Sequence, residues 1–569
     1  MAAFLLFGRR VPRRTILELD LANGLGERPP DGLAARVLGP DRPTVRDAVD
    51  ALERGAADER VRGLVVRIGP AEPGLARVEE LRDAIRGFRA ADKPALAFAE
   101  SFGEFGGGER GYYLATACDE IWLQPSGGVG ITGIAATVPF VRETFDRLGI
   151  EPRLDRREQY KTVVNSFTER GFTEPHRAVL RSLVASLFDR MLHEIADART
   201  LPVERVAALV DRGPLPARTA RAEGLVDRLA YRDEVNEALR TRTDGDATLL
   251  GHADYLKRAG RPARKGRDLI ALIYGIGAVV RGESRWRPVR GAAMEADSIR
   301  AAFREAVGDR RVRAIVFRID SPGGSYIASD AIRRVVARAR AAGKPVVVSM
   351  GDVAASGGYF IALAADRIVA HPSTLTGSIG VAGGKLVTTE FWRRLGVRWG
   401  EVRAGEHAGM ASPLRDYSES EWARVQEELD RIYADFVAKV AEARGIDLER
   451  ARELARGRVW TGEQAHGFGL VDELGGLPLA FALAREAADL APDARVRRRV
   501  YPQTPSLLGR LLGLKRSGAS RGGLLDHRRH GLARAVLRLI RYASTSRSPA
   551  PGPAGDVRSP RMPPLQSRR

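Results

Sequence analysis

The chain has 569 residues, enough for two or three domains with cores of their own. Its single cysteine, Cys118, excludes an internal disulfide framework and a cysteine-based zinc cluster. The net charge of +20 is unevenly spread, because residues 495–569 contain 18 Arg and Lys against 2 Asp and Glu and so carry +16 of it. The nearly neutral remainder does not indicate a nucleic-acid partner.

The first segment, residues 1–15, does not have the form of a secretory signal. Its apolar part, MAAFLLFG, is short and is followed, rather than preceded, by Arg9 and Arg10. Elsewhere no run reaches the ~18 consecutive apolar residues of a membrane span. We therefore expect a chain that is soluble or attached to a membrane only at its surface.

Most of the remaining sequence consists of two copies of one internal repeat. Residues 111–123, GYYLATACDEIWL, match residues 358–370, GYFIALAADRIVA, at an offset of 247. Upstream, RVRGLVVRI at 60–68 matches RVRAIVFRI at 311–319, and downstream FDRLGI at 145–150 matches FWRRLGV at 391–397. Strand-like and helix-like segments alternate in each copy, which predicts two tandem α/β domains with parallel sheets.

These matches suggest a division of the chain. We place the first domain at residues 16–245, a polar linker at 246–266, the second domain at 267–490 and a basic tail at 491–569. Within the tail segment 507–542, residues 507–514 and 532–542 place apolar side chains on one helical face and arginines on another. This pattern is typical of a helix that contacts a membrane surface or a partner, and equally of a solvated terminal helix. Residues 543–569, rich in Ser, Pro and Arg, are predicted to be disordered.

Ser356 lies in a turn between a predicted strand and a predicted buried helix, in the sequence GDVAASGGYF. At the start of a helix, free N–H groups and the helix dipole favour negative charge. The following Gly357 and Gly358 let another backbone approach. An attacking hydroxyl and its oxyanion need such a setting, although a plain helix-capping serine gives the same local pattern.

The two copies differ where such chemistry would lie. Glu109 takes the place of Ser356 in the first copy. The loop DSPGGS at 320–325 becomes GPAEPG at 69–74. In the second copy a Pro-Gly-Gly turn after a buried strand can direct an N–H into the site, so we assign an oxyanion-binding N–H to Gly324 and the turn to Gly323.

Lys161 shows the converse pattern, since its counterpart in the second copy is Ala408. The chain contains only 8 lysines beside 84 arginines, so a position that needs merely a positive charge would usually hold arginine. Lysine, unlike arginine, can act as a base once burial lowers its pKa towards neutrality. We therefore predict a Ser356–Lys161 dyad assembled across the two copies.

Other bases are weaker candidates. A Ser-His-Asp triad would need His371 or His407 together with Asp320 or Asp366. Lys385, near two glycines, is the reserve base. The sequence shows no metal-ligand spacing and no phosphate-binding loop, so we expect no metal and no cofactor.

Four motifs together resemble the long tandem form of the signal peptide peptidase A (SppA) family, serine peptidases whose fold is similar to those of Clp protease and crotonase. The motifs are YKTVVNSF at 160–167, DSPGGS at 320–325, VAASGGY at 353–359 and HPSTLTGSIGV at 371–381. The resemblance covers roughly residues 16–490. It implies two tandem Clp protease/crotonase-like domains.

The resemblance also implies roles for single residues. Ser356 would be the nucleophile, Lys161 the general base, and the N–H groups of Gly357 and Gly324 the oxyanion donors. Ser378 would hydrogen-bond the lysine amine and orient it.

At the level of the whole protein, the resemblance implies cleavage of remnant signal peptides at the bacterial inner membrane by a ring-shaped, tetramer-like homo-oligomer. Long-form members commonly begin with a membrane anchor, which we do not find in this sequence.

Three functions remain open on the sequence alone. The first is a serine endopeptidase that degrades short apolar peptides. The second is a crotonase-like acyl-CoA thioester enzyme that uses the same oxyanion loop, and the third is a catalytically silent, membrane-associated scaffold. The complete set of serine, lysine and glycines favours the endopeptidase.

Overall fold

A computed structural model describes most of the chain. The described residues are 10–28, 43–71, 73–104, 107–242, 247–260, 268–282, 293–491, 494 and 496–502. The predicted amphipathic segment 507–542 and the predicted disordered segment 543–569 lie outside the described residues.

The strands of the first half are short and mostly apolar. They are β1 (Thr15–Asp20), β2 (Val61–Ile68), β3 (Ala95–Ala99), β4 (Glu120–Leu123), β5 (Gly128–Val129), β6 (Glu151–Arg156), β7 (Leu215–Pro216), β8 (Arg228–Leu229) and β9 (Thr248–Gly251). Six of them form a fully parallel sheet in the order β8-β4-β3-β2-β1-β9.

The helices of the first half connect these strands. They are α1 (Val45–Ala57), α2 (Leu75–Arg89), α3 (Glu109–Ala115), α4 (Arg142–Leu148), α5 (Asn165–Thr168), α6 (Glu174–Arg199), α7 (Val203–Asp211), α8 (Ala217–Ala222), α9 (Arg232–Arg242) and α10 (His252–Ala259). A short 3₁₀ helix, Thr162–Val164, precedes α5.

The second half repeats this order of elements. Its strands are β10 (Leu269–Ile276), β11 (Ala278–Val280), β12 (Ala293–Glu295), β13 (Val312–Ser321), β14 (Val346–Ala355), β15 (Arg367–Ala370), β16 (Leu375–Gly377), β17 (Ala382–Val387), β18 (Val459–Thr461), β19 (Glu473–Leu474) and β20 (Arg497–Tyr501). Its helices are α11 (Ala296–Gly308), α12 (Tyr326–Ala341), α13 (Gly357–Ala362), α14 (Thr389–Arg394), α15 (Glu419–Arg444), α16 (Leu448–Ala455), α17 (Gly462–Gly467) and α18 (Leu477–Glu486).

The two sheets have the same topology. In the second half the parallel order is β19-β15-β14-β13-β10-β20, and β16 branches from β14 to pair antiparallel with β18. Central strands such as β13 are buried along almost their whole length, as expected for a parallel sheet covered by helices on both faces. The predicted pair of tandem α/β domains with parallel sheets is confirmed.

Each sheet extends beyond the segment that the repeat predicted. Strand β9 and helix α10 lie inside the predicted linker 246–266, and β9 pairs with β1. Strand β20 lies inside the predicted tail and pairs with β10. Both edge strands are short, and neither TLLG of β9 nor RRRVY of β20 has a clear alternation of apolar and polar residues. Their pairing therefore depends on the neighbouring strand rather than on a local apolar pattern. Residues 248–251 of the predicted linker and 497–501 of the predicted tail are therefore edge strands of the two sheets.

Helices cover both faces of each sheet. One large apolar core lies on one face in each half, and a smaller one lies under α9 in the first half and under α18 in the second. A separate two-stranded sheet joins the halves, because β6 of the first pairs antiparallel with β17 of the second. In the part of the chain that the structure describes, no helix has the length and apolar character required to cross a bilayer.

Candidate active site

Ser356 occupies a strained turn between β14 and α13. Its φ of 53° and ψ of −118° are unfavourable for a residue with a side chain. The backbone N–H donates to the Gly377 carbonyl at 2.8 Å, whereas the side chain makes no capping hydrogen bond with α13. The hydroxyl is therefore held away from the helix end and does not act as a cap.

The glycines after Ser356 are required by close packing. A Cβ on Gly357 would lie 2.5 Å from Ser329 Oγ, and one on Gly358 would lie 2.9 Å from the Ser321 carbonyl oxygen. Real Cβ atoms do not approach other atoms so closely. The turn can therefore lie against the 321–324 loop only if both positions are glycine.

Two backbone amides meet beside the Ser356 turn. Gly323 and Gly324 have φ values of 93° and 152°, which favour glycine. A Cβ on Gly357 would lie 3.2 Å from Gly324 N, and a Cβ on Gly323 would lie 2.6 Å from Gly357 N. Among the described residues, neither the Gly324 nor the Gly357 N–H donates to a backbone acceptor. Both donors therefore remain available to an oxyanion.

The pairing of β6 with β17 brings Lys161 to Ser356. Lys161 follows β6, which pairs with β17 of the second half. Its Nζ lies 3.0 Å from Ser356 Oγ, 3.0 Å from Ser378 Oγ and 2.8 Å from the Ser378 carbonyl oxygen. The predicted residues thus meet within a single chain.

Burial changes the acid–base properties of Lys161. The side chain is 6% exposed, and burial lowers its pKa to about 7. It forms no ion pair with any described carboxylate, so nothing offsets the cost of burying the charged form. A neutral amine can donate its two protons to the two Ser378 oxygens and accept the Ser356 hydroxyl proton on its lone pair.

The segment around residue 457 packs tightly on Lys161. A Cβ on Gly457 would lie 2.5 Å from Lys161 N, and one on Gly380 would lie 3.3 Å from Lys161 Cδ. Ser378 has a φ of 50°, and its N–H donates to the Arg458 carbonyl at 2.7 Å. These contacts pack the second half closely against the backbone and side chain of Lys161.

The alternative bases lie elsewhere. Lys385 Nζ donates to the Met410 carbonyl at 2.9 Å and stands over the Tyr417 ring. His371 is fully buried and lies 3.8 Å from Glu80, while His407 faces Ser420 Oγ at 3.2 Å.

The two aspartates of the alternative triad are also engaged. Asp320 accepts the Val353 N–H, and Asp366 pairs with Arg340. No triad forms around Ser356, and no cluster of metal-binding side chains is present among the described residues.

Sequence reasoning missed the ionic contacts that join the halves. Arg318, on β13 and fully buried, donates to Glu27 and Glu80 of the first half at 2.7 Å each. Burial raises the pKa of Glu27 to about 7. Burial also opposes ionisation of Glu80, but Arg318 and His371 outweigh it and lower that pKa to about 2. The arginine inside the apolar run AIVFRI was a sequence feature that could have indicated a buried ion pair.

A further acidic side chain of the first half, Glu79, reaches the loop that leads to Ser378. Glu79 accepts hydrogen bonds from Ser373 N at 3.0 Å and Ser373 Oγ at 2.7 Å, and Arg190 pairs with it at 3.0 Å. Arg77 and Asp352 form a further ion pair between the halves. The first half therefore supports the backbone of the second on both sides of Ser356.

A buried lysine that hydrogen-bonds a serine, beside two backbone amides on a tandem α/β fold, offers the groups that a serine peptidase needs. The family model described as Peptidase family S49 matches residues 87–245 and 338–491, together more than half of the chain. The chain belongs to peptidase family S49. The serine protease class predicted from the motifs is confirmed.

Curated relatives agree with this assignment. "Serine protease SPPA, chloroplastic" of Arabidopsis thaliana is 31% identical over 452 residues, 78% of this chain and 65% of that protein. "Protease 4" of Salmonella typhi is 34% identical over 461 residues, 78% of this chain and 72% of that protein. "Protease 4" of Haemophilus influenzae is 29% identical over 473 residues, 79% of this chain and 74% of that protein.

Proposed function

We propose that this protein is a serine endopeptidase with a Ser356–Lys161 dyad that degrades short apolar peptides, such as remnants of signal peptides. The observation that carries the proposal is the 3.0 Å contact between Lys161 Nζ and Ser356 Oγ, made by a lysine whose pKa is lowered to about 7. Its family and its relatives named as proteases support the reaction class.

The chemistry follows from these positions. Neutral Lys161 takes the hydroxyl proton as Ser356 Oγ attacks the scissile carbonyl carbon, and the N–H groups of Gly324 and Gly357 hold the oxyanion. The lysine ammonium then protonates the leaving amine, the C–N bond breaks and an ester forms on Ser356. Lys161 next takes a proton from water as the water oxygen attacks the ester carbonyl carbon. The bond from that carbon to Ser356 Oγ then breaks, the lysine ammonium returns the proton to Oγ, and the second peptide leaves with a free carboxyl group.

Ser378 acts through the lysine. Its two oxygens accept both amine protons at 3.0 and 2.8 Å, so the lone pair faces Ser356. We assign it as a positioning residue.

Two exposed side chains near the site support an apolar substrate. Val163, two residues after Lys161, is 61% exposed, and Ile327, three residues after Gly324, is 60% exposed. Apolar peptide side chains would bury such surface.

We further propose that the chain acts at a membrane as a ring-shaped homo-oligomer. The substrate class would place it there, and segment 507–542, which lies outside the described residues, is the proposed peripheral contact. The dyad itself does not depend on a second copy, because both residues belong to one chain.

Labelling with a serine-reactive fluorophosphonate tests the proposal. The wild-type protein should be labelled at one serine and should hydrolyse an apolar peptide. Ser356→Ala should be neither labelled nor able to hydrolyse the peptide. Ser126→Ala, at an exposed serine of the first half, is the matched control and should retain both.

A scaffold would not be labelled, and an acyl-CoA thioester enzyme would keep its activity in Ser356→Ala. Either result would overturn the proposal.

A further inference from the structure

A turn of the second half, residues 456–458, lies against the backbone that follows β16. The Ser378 N–H donates to the Arg458 carbonyl at 2.7 Å, and the Gly457 N–H donates to the Ile379 carbonyl at 2.8 Å. The turn therefore fixes the backbone of the residue whose two oxygens accept the amine protons of the base.

The same turn contacts the first half at the base itself. The Tyr160 N–H donates to the Arg456 carbonyl at 3.1 Å. Gly457 has a φ of 75°, which favours glycine, and a Cβ there would lie 2.5 Å from Lys161 N and 2.6 Å from Lys161 Cβ. Residues 456–458 therefore connect the base to the residue that orients it.

The Arg458 side chain extends this contact between the halves. Its guanidinium carbon lies 4.4 Å from the centre of the Trp460 ring and 5.4 Å from the centre of the Tyr160 ring. Trp460 is buried, and its indole N–H donates to the Leu454 carbonyl at 3.1 Å, so the ring is fixed in the second half. A cation within about 6 Å of an aromatic ring centre is attracted to it. The guanidinium therefore links a ring of the first half to a fixed ring of the second.

The first half lacks this arginine. Its corresponding turn reads Arg-Gly-Pro at 212–214, whereas the second half reads Arg-Gly-Arg at 456–458. A Cβ on Gly213 would lie 2.1 Å from the Ile131 carbonyl oxygen, so the glycine is required by packing in the first half as well. The arginine after the glycine is present only in the half that receives the lysine base.

We propose that Arg458 is a positioning residue for Lys161: its guanidinium holds the Tyr160 ring against the second half and so keeps the neighbouring amine in line with Ser356. The inference rests on the proposed peptidase chemistry, in which the lone pair of the amine must face the serine hydroxyl. Without the arginine, the lysine segment is free to move away from Ser378 and water can reach the amine. A misplacement of about 1 Å near a reacting group can cost ~100-fold in rate.

The pH dependence of activity reports such a displacement. The charged residues nearest to Lys161 along the two packed segments are Glu158, Arg456 and Arg458, and burial alone lowers the pKa of Lys161. A rise of this pKa in a variant therefore measures the entry of water rather than the loss of a neighbouring charge.

Steady-state kinetics with an apolar peptide test the assignment. Arg458→Met should lower kcat about tenfold and change KM less than about twofold. The midpoint of the rise of kcat/KM with pH should move from about 7 to about 8, because the amine becomes solvated. Arg458→Lys keeps a cation beside the rings and should restore at least about half of the wild-type kcat.

A matched control is available in the first half. The Arg228 guanidinium carbon lies 4.5 Å from the centre of the Trp122 ring, at the edge strand β8. Arg228→Met removes the same kind of contact away from the dyad and should match wild type in kcat and in its pH profile.

The partner ring gives a second test. Tyr160→Leu should lower kcat as much as Arg458→Met, and the double variant should lose no more than either single variant, because both remove one contact. All three should fold, as judged by circular dichroism. Wild-type kcat in Arg458→Met, no rescue by Arg458→Lys, or multiplied losses in the double variant would overturn the proposal.

Denaturant titration near pH 6 provides a readout without activity. Lys161→Met should raise the free energy of unfolding in the wild-type background, and this gain should be at least about halved in the Arg458→Met background, because the amine is already solvated there. An equal gain in both backgrounds would contradict the proposal. A wild type that neither hydrolyses peptide nor reacts with a fluorophosphonate would refute the proposed function alone, and the titration would then decide the role of Arg458.

Discussion

The turns that carry Ser356 and Glu109 have the same place in two copies of one fold and opposite properties. Ser356 has a strained backbone and a hydroxyl directed at Lys161. Glu109 lies on α3, and its Oε1 accepts the N–H and the hydroxyl of Thr132 at 2.8 Å each. The turn thus presents a hydroxyl to a buried amine in one half and a carboxylate to Thr132 in the other. Duplication preserves a backbone while single positions decide whether it carries chemistry.

The largest expected effect comes from the base. Lys161→Arg should reduce kcat/KM for an apolar peptide about 10³- to 10⁴-fold, because arginine stays protonated and cannot accept the serine proton. Lys93→Arg is the control, since among the described residues Lys93 Nζ donates only to the Gly55 and Asp58 carbonyls, at 2.7 Å each. Substantial hydrolysis by Lys161→Arg would exclude Lys161 as the base.

The buried ion pairs of Arg318 between the halves should contribute strongly to the free energy of unfolding. Arg318→Met leaves Glu27 and Glu80 buried without their cation and should lower the free energy of unfolding by about 3–5 kcal/mol at pH 7. Its counterpart Arg67 is 22% exposed and pairs with Asp20 and Glu100. Arg67→Met should therefore cost less than about 1 kcal/mol. Equal losses in urea titrations of the two variants would contradict this difference between the halves.

Activity should follow the ionisation of Lys161. With a pKa of about 7, kcat/KM should fall roughly tenfold per pH unit below that value and level off above it. A plateau that continues down to pH 5 would exclude a buried lysine base.

The same shift predicts the pH dependence of stability. The pKa of Lys161 is lower in the folded than in the unfolded protein, so burying the charged amine lowers the free energy of unfolding below about pH 7. This penalty fades as the pH rises from about 7 towards about 10. Lys161→Met should remove that penalty and raise the free energy of unfolding near pH 6 by about 3–5 kcal/mol. No gain in a denaturant titration would argue that the lysine is solvated.

The smallest effect is expected in the silent half. Within the part of the chain that the structure describes, Glu109→Ala removes only the two hydrogen bonds from Thr132, so peptide hydrolysis should change less than about twofold. Glu109→Ser should not create a second fluorophosphonate-labelled site, because Ile131 and Ala408 replace Ser378 and Lys161. A second labelled serine would show that the first half retains a working base.

Much of the fold and of the candidate site could be predicted because duplication makes differences visible. The repeat located Ser356 against Glu109 and Lys161 against Ala408, and the structure has the serine and lysine 3.0 Å apart. The edge strands β9 and β20 were missed, since four or five mixed residues carry no clear period. The buried Arg318 was missed for another reason, because its partners lie 291 and 238 residues away.

The sequence by itself determined the doubled α/β unit, the division of serine and lysine between the copies and the glycines of the turn, because apolar periodicity and backbone permissiveness are local properties. Only the tertiary structure decided that β6 crosses to β17, that a network of buried charges joins the halves, and that burial without a carboxylate lowers the pKa of Lys161. Those features depend on surfaces that meet only after each half has folded, and desolvation acts on a charge only once its neighbours are in place.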